Sequence, residues 1–357
     1  MQKVIISADS KPYMKGSFRA HLSAVIRFRN PRGFEEKYLE FMKQLFLKRG
    51  KQVSRSIYKS FDLGSEFVNN PDEFYEILLE FAKFLNGEDV EVNIVYTSLF
   101  APKLPNGIKL YGEDRANKIV NIPKFIDILG SYYTYVPIWK LDNLGQDLSS
   151  SEILLDCFDG EVTRAWRDIE SLDIKIIPEG DKCNAFVSSA DLGCKFVDYL
   201  LKVMKIKLSD DTLNTMFENL GLNKFKAFYC GHQDLKYLVP VTPKKIKIEN
   251  YYKSPMIFIL KEGVLGSEST FLENSLYWDS ILELAYLSGA GVKHIDYNQD
   301  AKKIRAGDFL ICTGLRGEEQ AQTLTKWGYK FNLIKLEDID KKIETIKSER
   351  VKSLKSE

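Results

Sequence analysis

The stretch EILLDCFDGE, residues 152–161, carries an acid straight out of an apolar run. Ile153, Leu154 and Leu155 read as a buried strand, and Asp156 and Asp159 follow it. A carboxylate at a strand end closes a turn, caps the next helix, or offers oxygen to a hard cation such as Mg²⁺ or Mn²⁺. Asp159 precedes Gly160 and suits the cap, which leaves Asp156 as the candidate metal ligand. Two more acids hold comparable positions. Asp9 ends the run KVIISAD, and Asp191 falls in SSADLGCKF, where the first turn of a helix is expected. A helix N-terminus favours an acid through its dipole, so Asp191 also has a plain structural reading.

Basic residues form a second set. Arg19, Arg27, Arg29 and Arg32 lie on and after the segment FRAHLSAVIRF, together with His21. Such a set holds phosphates, or it is simply a solvated strand face. Lys244, Lys245 and Lys247 in TPKKIKIENYYK mix charge with aromatics, as single-strand binders do, or form a linker. His232 stands between Cys230 and Asp234 in YCGHQD but lacks the partners of a metal site. No GxGxxG, Walker A, HExxH or GxSxG pattern occurs, which argues against common nucleotide-dependent, zincin and serine-hydrolase chemistries.

The elements that must position these residues follow from periodicity. KVIISAD is a strand, SKPYMKG a turn broken by Pro12 and Gly16, and FRAHLSAVIRF a half-buried strand of period two. Together they predict a hairpin. Phe34, Tyr38, Phe41, Met42 and Leu45 mark a helix, and NNPDEF starts another at Pro71. VEVNIVY is a strand. Residues 98–150, broken by Pro102, Pro105, Pro123 and Pro137, read as an irregular insertion. A helix over 161–171, a strand DIKIIP, a helix over 190–205 capped by Ser188 or Ser189, and a helix capped by Ser209 come next. After the Lys- and Pro-rich stretch 240–255, strands MIFIL, DFLICTG and FNLIKL alternate with helices, which predicts a parallel sheet.

Composition sets the bounds. The chain has 357 residues, 44% of them hydrophobic, enough for two cores. A net charge of +1 gives no global basic field, so any nucleic-acid site must be local. The five cysteines, Cys157, Cys183, Cys194, Cys230 and Cys312, form no CxxC pair, which favours a reducing, cytoplasmic setting over a disulfide framework. No apolar run reaches the roughly 18 residues of a membrane span, and the N-terminus lacks a signal-peptide pattern. Lys- and Glu-rich charge leans toward a thermophilic source. A homo-oligomer is compatible with all of this.

The order of elements resembles the RNase H-like superfamily over residues 1–205. Members place one Asp on the first strand, an acid on a helix, a third at the end of the fourth strand and a fourth near the start of the last helix. The matching positions here are Asp9, Asp156 and Asp191. SSADLGCKFVDYLL also resembles the small-residue-ADL helix of some uncharacterised RNase H-like families. Those families carry Asp-Glu-Ser-Gly after the first strand, where this chain has Asp9-Ser10-Lys11-Pro12. Glu73, Glu76 and Glu80 all compete for the helical acid. The resemblance implies an RNase H-like mixed sheet with helices, two Mg²⁺ or Mn²⁺ ions held by Asp9, Asp156 and Asp191, and hydrolysis of phosphodiesters in DNA or RNA.

The predicted division is therefore an RNase H-like domain over 1–205 with its insertion at 98–150, a helical or linker segment over 206–254, a Rossmann-like α/β domain over 255–337 and a charged tail over 338–357, a helix that frays into disorder. In the third part, Gly314 and Gly317 flank a strand-to-helix turn with Arg316, where anions bind in parallel α/β folds, although Glu318 and Glu319 oppose one. The stretch GDFLICTGLRGEEQAQTLTKWGYKFNLIKLEDI resembles the closing half of Mrr-type restriction endonuclease domains, which implies an inactive domain serving binding. Three functions are thus expected in order: a metal-dependent nuclease, a non-catalytic nucleic-acid or protein-binding module that keeps the fold, and a nucleotide sensor.

Overall fold

The computed structural model describes residues 3–15, 18–67, 71–98, 150–156, 173–230, 255–260, 277–295, 301–312 and 314–356. The chain divides into two units. One comprises Met1–Phe41, Lys59–Lys175 and Ala185–Ile246, and the other Met42–Tyr58, Ile176–Asn184 and Lys247–Glu357. The architecture is α/β, with one mixed sheet and one parallel sheet.

The first unit holds β1 (Val4–Lys15), β2 (Phe18–Phe28), most of α1 (Pro31–Leu47), α2 (Ser60–Glu66), α3 (Pro71–Gly87), β3 (Val90–Ser98) and β4 (Ser151–Asp156). β5 (Asp173–Ile177) follows, and after the short α4 (Gly180–Cys183) come α5 (Ala185–Val203), α6 (Asp210–Asn219) and β6 (Phe225–Tyr229). The six strands run in the order β5-β4-β1-β2-β3-β6. β1 pairs with β2, and β2 with β3, antiparallel. β4 joins β1, and β6 joins β3, parallel.

The alternation in FRAHLSAVIRF sets β2 correctly, with Leu22, Ala24, Ile26 and Phe28 all buried. The expected half-burial is corrected: Ser23 and Val25 on the opposite face are buried too, because β2 is flanked by strands on both sides and covered on both faces. α5 lies over the first face. A Cβ placed on Gly193 would meet Ala24 at 3.5 Å and Ile26 at 3.7 Å. Phe28, Phe34 and Phe186 stack together beneath it, and Tyr38 shares a 2.7 Å hydrogen bond with Ser188.

Several predicted boundaries move. β1 does not stop at Asp9 but runs through Pro12 to Lys15. Among the described residues its pairing with β4 ends at Ala8, so Pro12 lies where only β2 is bonded and its missing N–H is tolerated. The helix expected at 190 begins at Ala185, and neither serine caps it: Ser188 bonds to Tyr38 of α1, and the Ser189 hydroxyl donates to the Ala185 carbonyl at 2.7 Å. The 206–254 segment is not a connector throughout, since β6 extends the mixed sheet. Ser209 caps α6, accepting from the Thr212 N–H. The helix expected at 161–171, the interior of the 98–150 insertion and the 240–254 stretch lie outside the described residues.

The second unit holds β7 (Met256–Leu260), α7 (Trp278–Ser288), β8 (Gly291–Ile295), β9 (Phe309–Cys312), α8 (Gly314–Lys326), β10 (Asn332–Lys335) and α9 (Ile339–Ser356). Its sheet is parallel, in the order β10-β9-β7-β8. Every residue of MIFIL is buried, as an interior parallel strand requires. β8 was not foreseen, because Lys293 and His294 interrupt its apolar pattern. The charged tail forms the expected helix, α9, whose Ile339 and Ile343 are buried and whose Arg350 donates to the Leu287 carbonyl of α7.

Gly291 packs against Pro178: a Cβ there would lie 2.9 Å from the Pro178 nitrogen and 2.5 Å from its Cδ. Gly291→Ala is therefore expected to cost about 1–3 kcal/mol, as overpacking does. Gly87→Ala, where a Cβ meets nothing within 4 Å, is expected to leave stability almost unchanged. Thermal melts of the two variants check this.

Candidate functional site

Odd-numbered residues of β1 face α5. Asp9 and Lys11 therefore share a face, while Ser10 faces the other way. Asp9 is buried, and its carboxylate accepts the Ser10 N–H at 2.7 Å. The Lys11 ammonium forms an ion pair with the Asp191 carboxylate and donates to the Ser60 hydroxyl at 3.1 Å. The second Asp191 oxygen accepts the backbone N–H of Ser60, the first residue of α2. β1, α5 and the start of α2 thus converge on one buried carboxylate.

The electrostatics follow. Burial would lower the Lys11 pKa, but the charge of Asp191 and then that of Asp9 outweigh it, and the ammonium is held well above its usual range. Burial would raise the Asp191 pKa, but the Lys11 charge and the hydrogen bonds from Lys11 and Ser60 win, so the carboxyl is held below its usual value. Cys194, one turn along α5, donates its thiol to the Leu22 carbonyl at 3.3 Å. Burial pushes that thiol far up, and the charges of Asp9 and Asp191 push it further against the pull of Lys11. It is an inert packing group, not a nucleophile.

Asp156 is the last residue of β4 and is half-buried. The parallel register pairs Val4 with Ser151 and Ala8 with Leu155. The bonded register stops there, one residue short of Asp9 and Asp156; the same alternation continued by one residue puts both on one face. Asp191 is not in the first turn of its helix, as the sequence predicts, but six residues past Ala185. Its charge is therefore stabilised by Lys11 and Ser60 and not by its own helix's dipole. Among the described residues no three His, Cys, Asp or Glu groups gather to hold a metal. The Asp191 oxygens are already engaged by an ammonium and an N–H, so the donors in this arrangement do not fit a two-metal centre.

The basic set disperses. Arg27 pairs with Ile6 across the hairpin and lies on the sheet face opposite Lys11. Arg29 is exposed and ion-paired with Glu91, and Arg32 pairs with Glu36 on α1. Arg19 lies in β2 opposite Met14; its side chain is outside the described part. Cys230 is buried and its N–H donates to the Tyr96 carbonyl at 2.8 Å, while His232, Asp234 and the lysines at 244, 245 and 247 lie outside the described residues. In the second unit, Arg316 is exposed and Glu318 is paired with Lys335 at 2.7 Å. Sequence reasoning missed Lys11 and Ser60. The signal for Lys11 was the period-two series Asp9, Lys11, Tyr13, hidden by Pro12.

Lys11→Met strands a buried carboxylate and is expected to cost about 3–5 kcal/mol, while Lys11→Met/Asp191→Asn recovers most of it. The sign with pH is set by both shifts. The lowered Asp191 contributes stability above its unfolded value near ~3.9 and loses it as pH falls through the folded value. The raised Lys11 contributes fully below roughly 10.4 and loses it as pH rises through its folded value. In Lys11→Met burial pushes the stranded Asp191 carboxyl up, so the variant's deficit should shrink as pH falls into the acid range, and shrink again above roughly pH 10.4, where wild type begins to lose the Lys11 contribution. Urea melts across pH read this out.

A protein of Archaeoglobus fulgidus, described as an uncharacterized protein, is 28% identical over 330 residues, covering 90% of this chain and 94% of its own. Residues 6–249 match the family described as a domain of unknown function, DUF8203, a span that holds Asp9, Lys11, Asp156, Asp191 and Ser60. Because that match covers well over half of the chain, the protein belongs to the DUF8203 family.

Proposed function

We propose that this is a cytoplasmic nucleic-acid-binding protein of RNase H-like fold that keeps the acid positions of a metal nuclease without a working two-metal centre. Support for the fold comes from adjacency. The acids of the first and fourth strands can meet only if β1 and β4 are neighbours, and they are parallel neighbours in flush register. α5 then crosses the same face and brings Asp191 to β1. The observation that carries the loss of a two-metal centre in this reading is the Lys11 ammonium, paired with Asp191 and close enough to Asp9 to feel its charge; the nucleic-acid part rests on the fold resemblance. Converging carboxylates need a cation, and here the chain supplies one.

One observation favours the second reading, a Mg²⁺- or Mn²⁺-dependent nuclease. The β1–β4 register ends at Ala8 and Leu155, the residues just before Asp9 and Asp156, and continuing it one step would make the two acids neighbours, as two ligands of one ion are. The two readings separate cleanly. Labelled single- and double-stranded DNA and RNA are followed by anisotropy and by gel, in EDTA and in Mn²⁺, with wild type and Asp156→Asn. The expected result is binding of similar strength in both buffers, no cleavage, and no effect of Asp156→Asn. Cleavage by wild type that needs Mn²⁺ and vanishes in Asp156→Asn overturns the proposal in favour of the nuclease. No binding of any of the four nucleic acids removes the nucleic-acid part of it.

A further inference from the structure

We infer that Lys11 is the resident cation of the acid site and the residue that denies it to divalent metal, so that removing this one side chain turns Asp9, Asp156 and Asp191 into a Mg²⁺ or Mn²⁺ site. The inference rests on the RNase H-like reading for the nearness of Asp156, and on direct contacts for the rest. The Lys11 ammonium occupies one oxygen of Asp191, and the backbone N–H of Ser60 occupies the other. A divalent ion approaching that first oxygen meets a like charge already seated on it. The ammonium is also coupled to Asp9, so it opposes an ion at either carboxylate.

Truncating Lys11 frees one Asp191 oxygen and the Ser60 hydroxyl and leaves the backbone scaffold. Ser60, at the start of α2, still holds the second Asp191 oxygen and keeps the carboxylate oriented. β1 keeps its register with β2 and β4, so Asp9 stays beside the end of β4. The freed oxygen then faces a volume once filled by the lysine chain, among hard carboxylate oxygens. A partly hydrated Mg²⁺ or Mn²⁺ selects such ligands.

The test is a Mn²⁺ titration followed by calorimetry and by the electron paramagnetic resonance signal of free Mn²⁺, on wild type, Lys11→Ala, Lys11→Ala/Asp191→Asn and Lys11→Ala/Asp156→Asn. Lys11→Ala should bind Mn²⁺ roughly tenfold or more tightly than wild type, and each second substitution should cancel the gain. Its melting temperature should rise with Mn²⁺ while that of wild type does not. Equal Mn²⁺ affinity in wild type and Lys11→Ala overturns the inference, as does a gain that survives Asp191→Asn. A gain cancelled by Asp191→Asn but not by Asp156→Asn overturns only the part of Asp156, and with it the RNase H-like placement. If Lys11→Ala folds only with Mn²⁺ present, the inference stands; if it stays unfolded with Mn²⁺, Lys11→Gln takes its place under the same criteria.

Discussion

A carboxylate buried as deeply as that of Asp191 must be met by charge and hydrogen bonds or be protonated, and most of the first unit's geometry can be traced to how this one is met. Its two oxygens draw on three separate pieces of chain: Lys11 from β1, the Ser60 backbone from α2, and α5, which carries the acid itself. None of the three is near the others in sequence. The ion pair therefore acts as a check on tertiary assembly: it is satisfied only when the hairpin, α2 and α5 are all in place.

The hairpin register makes that check strict. Lys11 reaches α5 because it is two residues from Asp9 on the same face, and the register pairs Asp9 with Ala24 and Lys11 with Leu22. Ala24 and Leu22 are themselves fully buried beneath α5. A slip of one residue would turn Lys11 to the opposite face, together with every apolar residue of β2. The burial of an ion pair and the burial of Leu22, Ala24, Ile26 and Phe28 thus select the same alignment, as a well-specified sequence requires.

Much of this was legible in the residues. The period-two series in FRAHLSAVIRF, the cap at Ser209 and the Pro71 helix start each correspond to a local rule. What escaped depended on partners distant in sequence. Pro12 looks like a breaker until one sees that it sits where only one side of β1 is bonded. Ser188 and Ser189 look like caps until one of them is found bonded to Tyr38, 150 residues away. Asp9, Asp156 and Asp191 could be nominated from element order, but the cation between two of them could not. That lysine was assigned to a turn, and turn residues are not expected to reach a helix that begins 174 residues later, at Ala185.

Stability alone does not account for keeping the pair. Well-packed apolar side chains in place of Lys11 and Asp191 would give a fold about as stable, because removing two charges from water costs roughly what their attraction returns. Nor is a carboxylate needed to hold the start of α2, since a neutral amide accepts the Ser60 N–H equally well. What only charged groups supply is a site whose potential is set by a balance. Asp9 and Asp191 contribute negative charge, Asp156 stands at the end of the neighbouring strand, and a single flexible ammonium offsets them, with about a quarter of its side chain still open to solvent. A lysine is a point charge on a rotatable stem, unlike a bound divalent ion with its demand for octahedral ligands. In the first unit the Asp191 carboxylate, with the charge of Asp9 close by, is met by a cation that needs no coordination geometry at all.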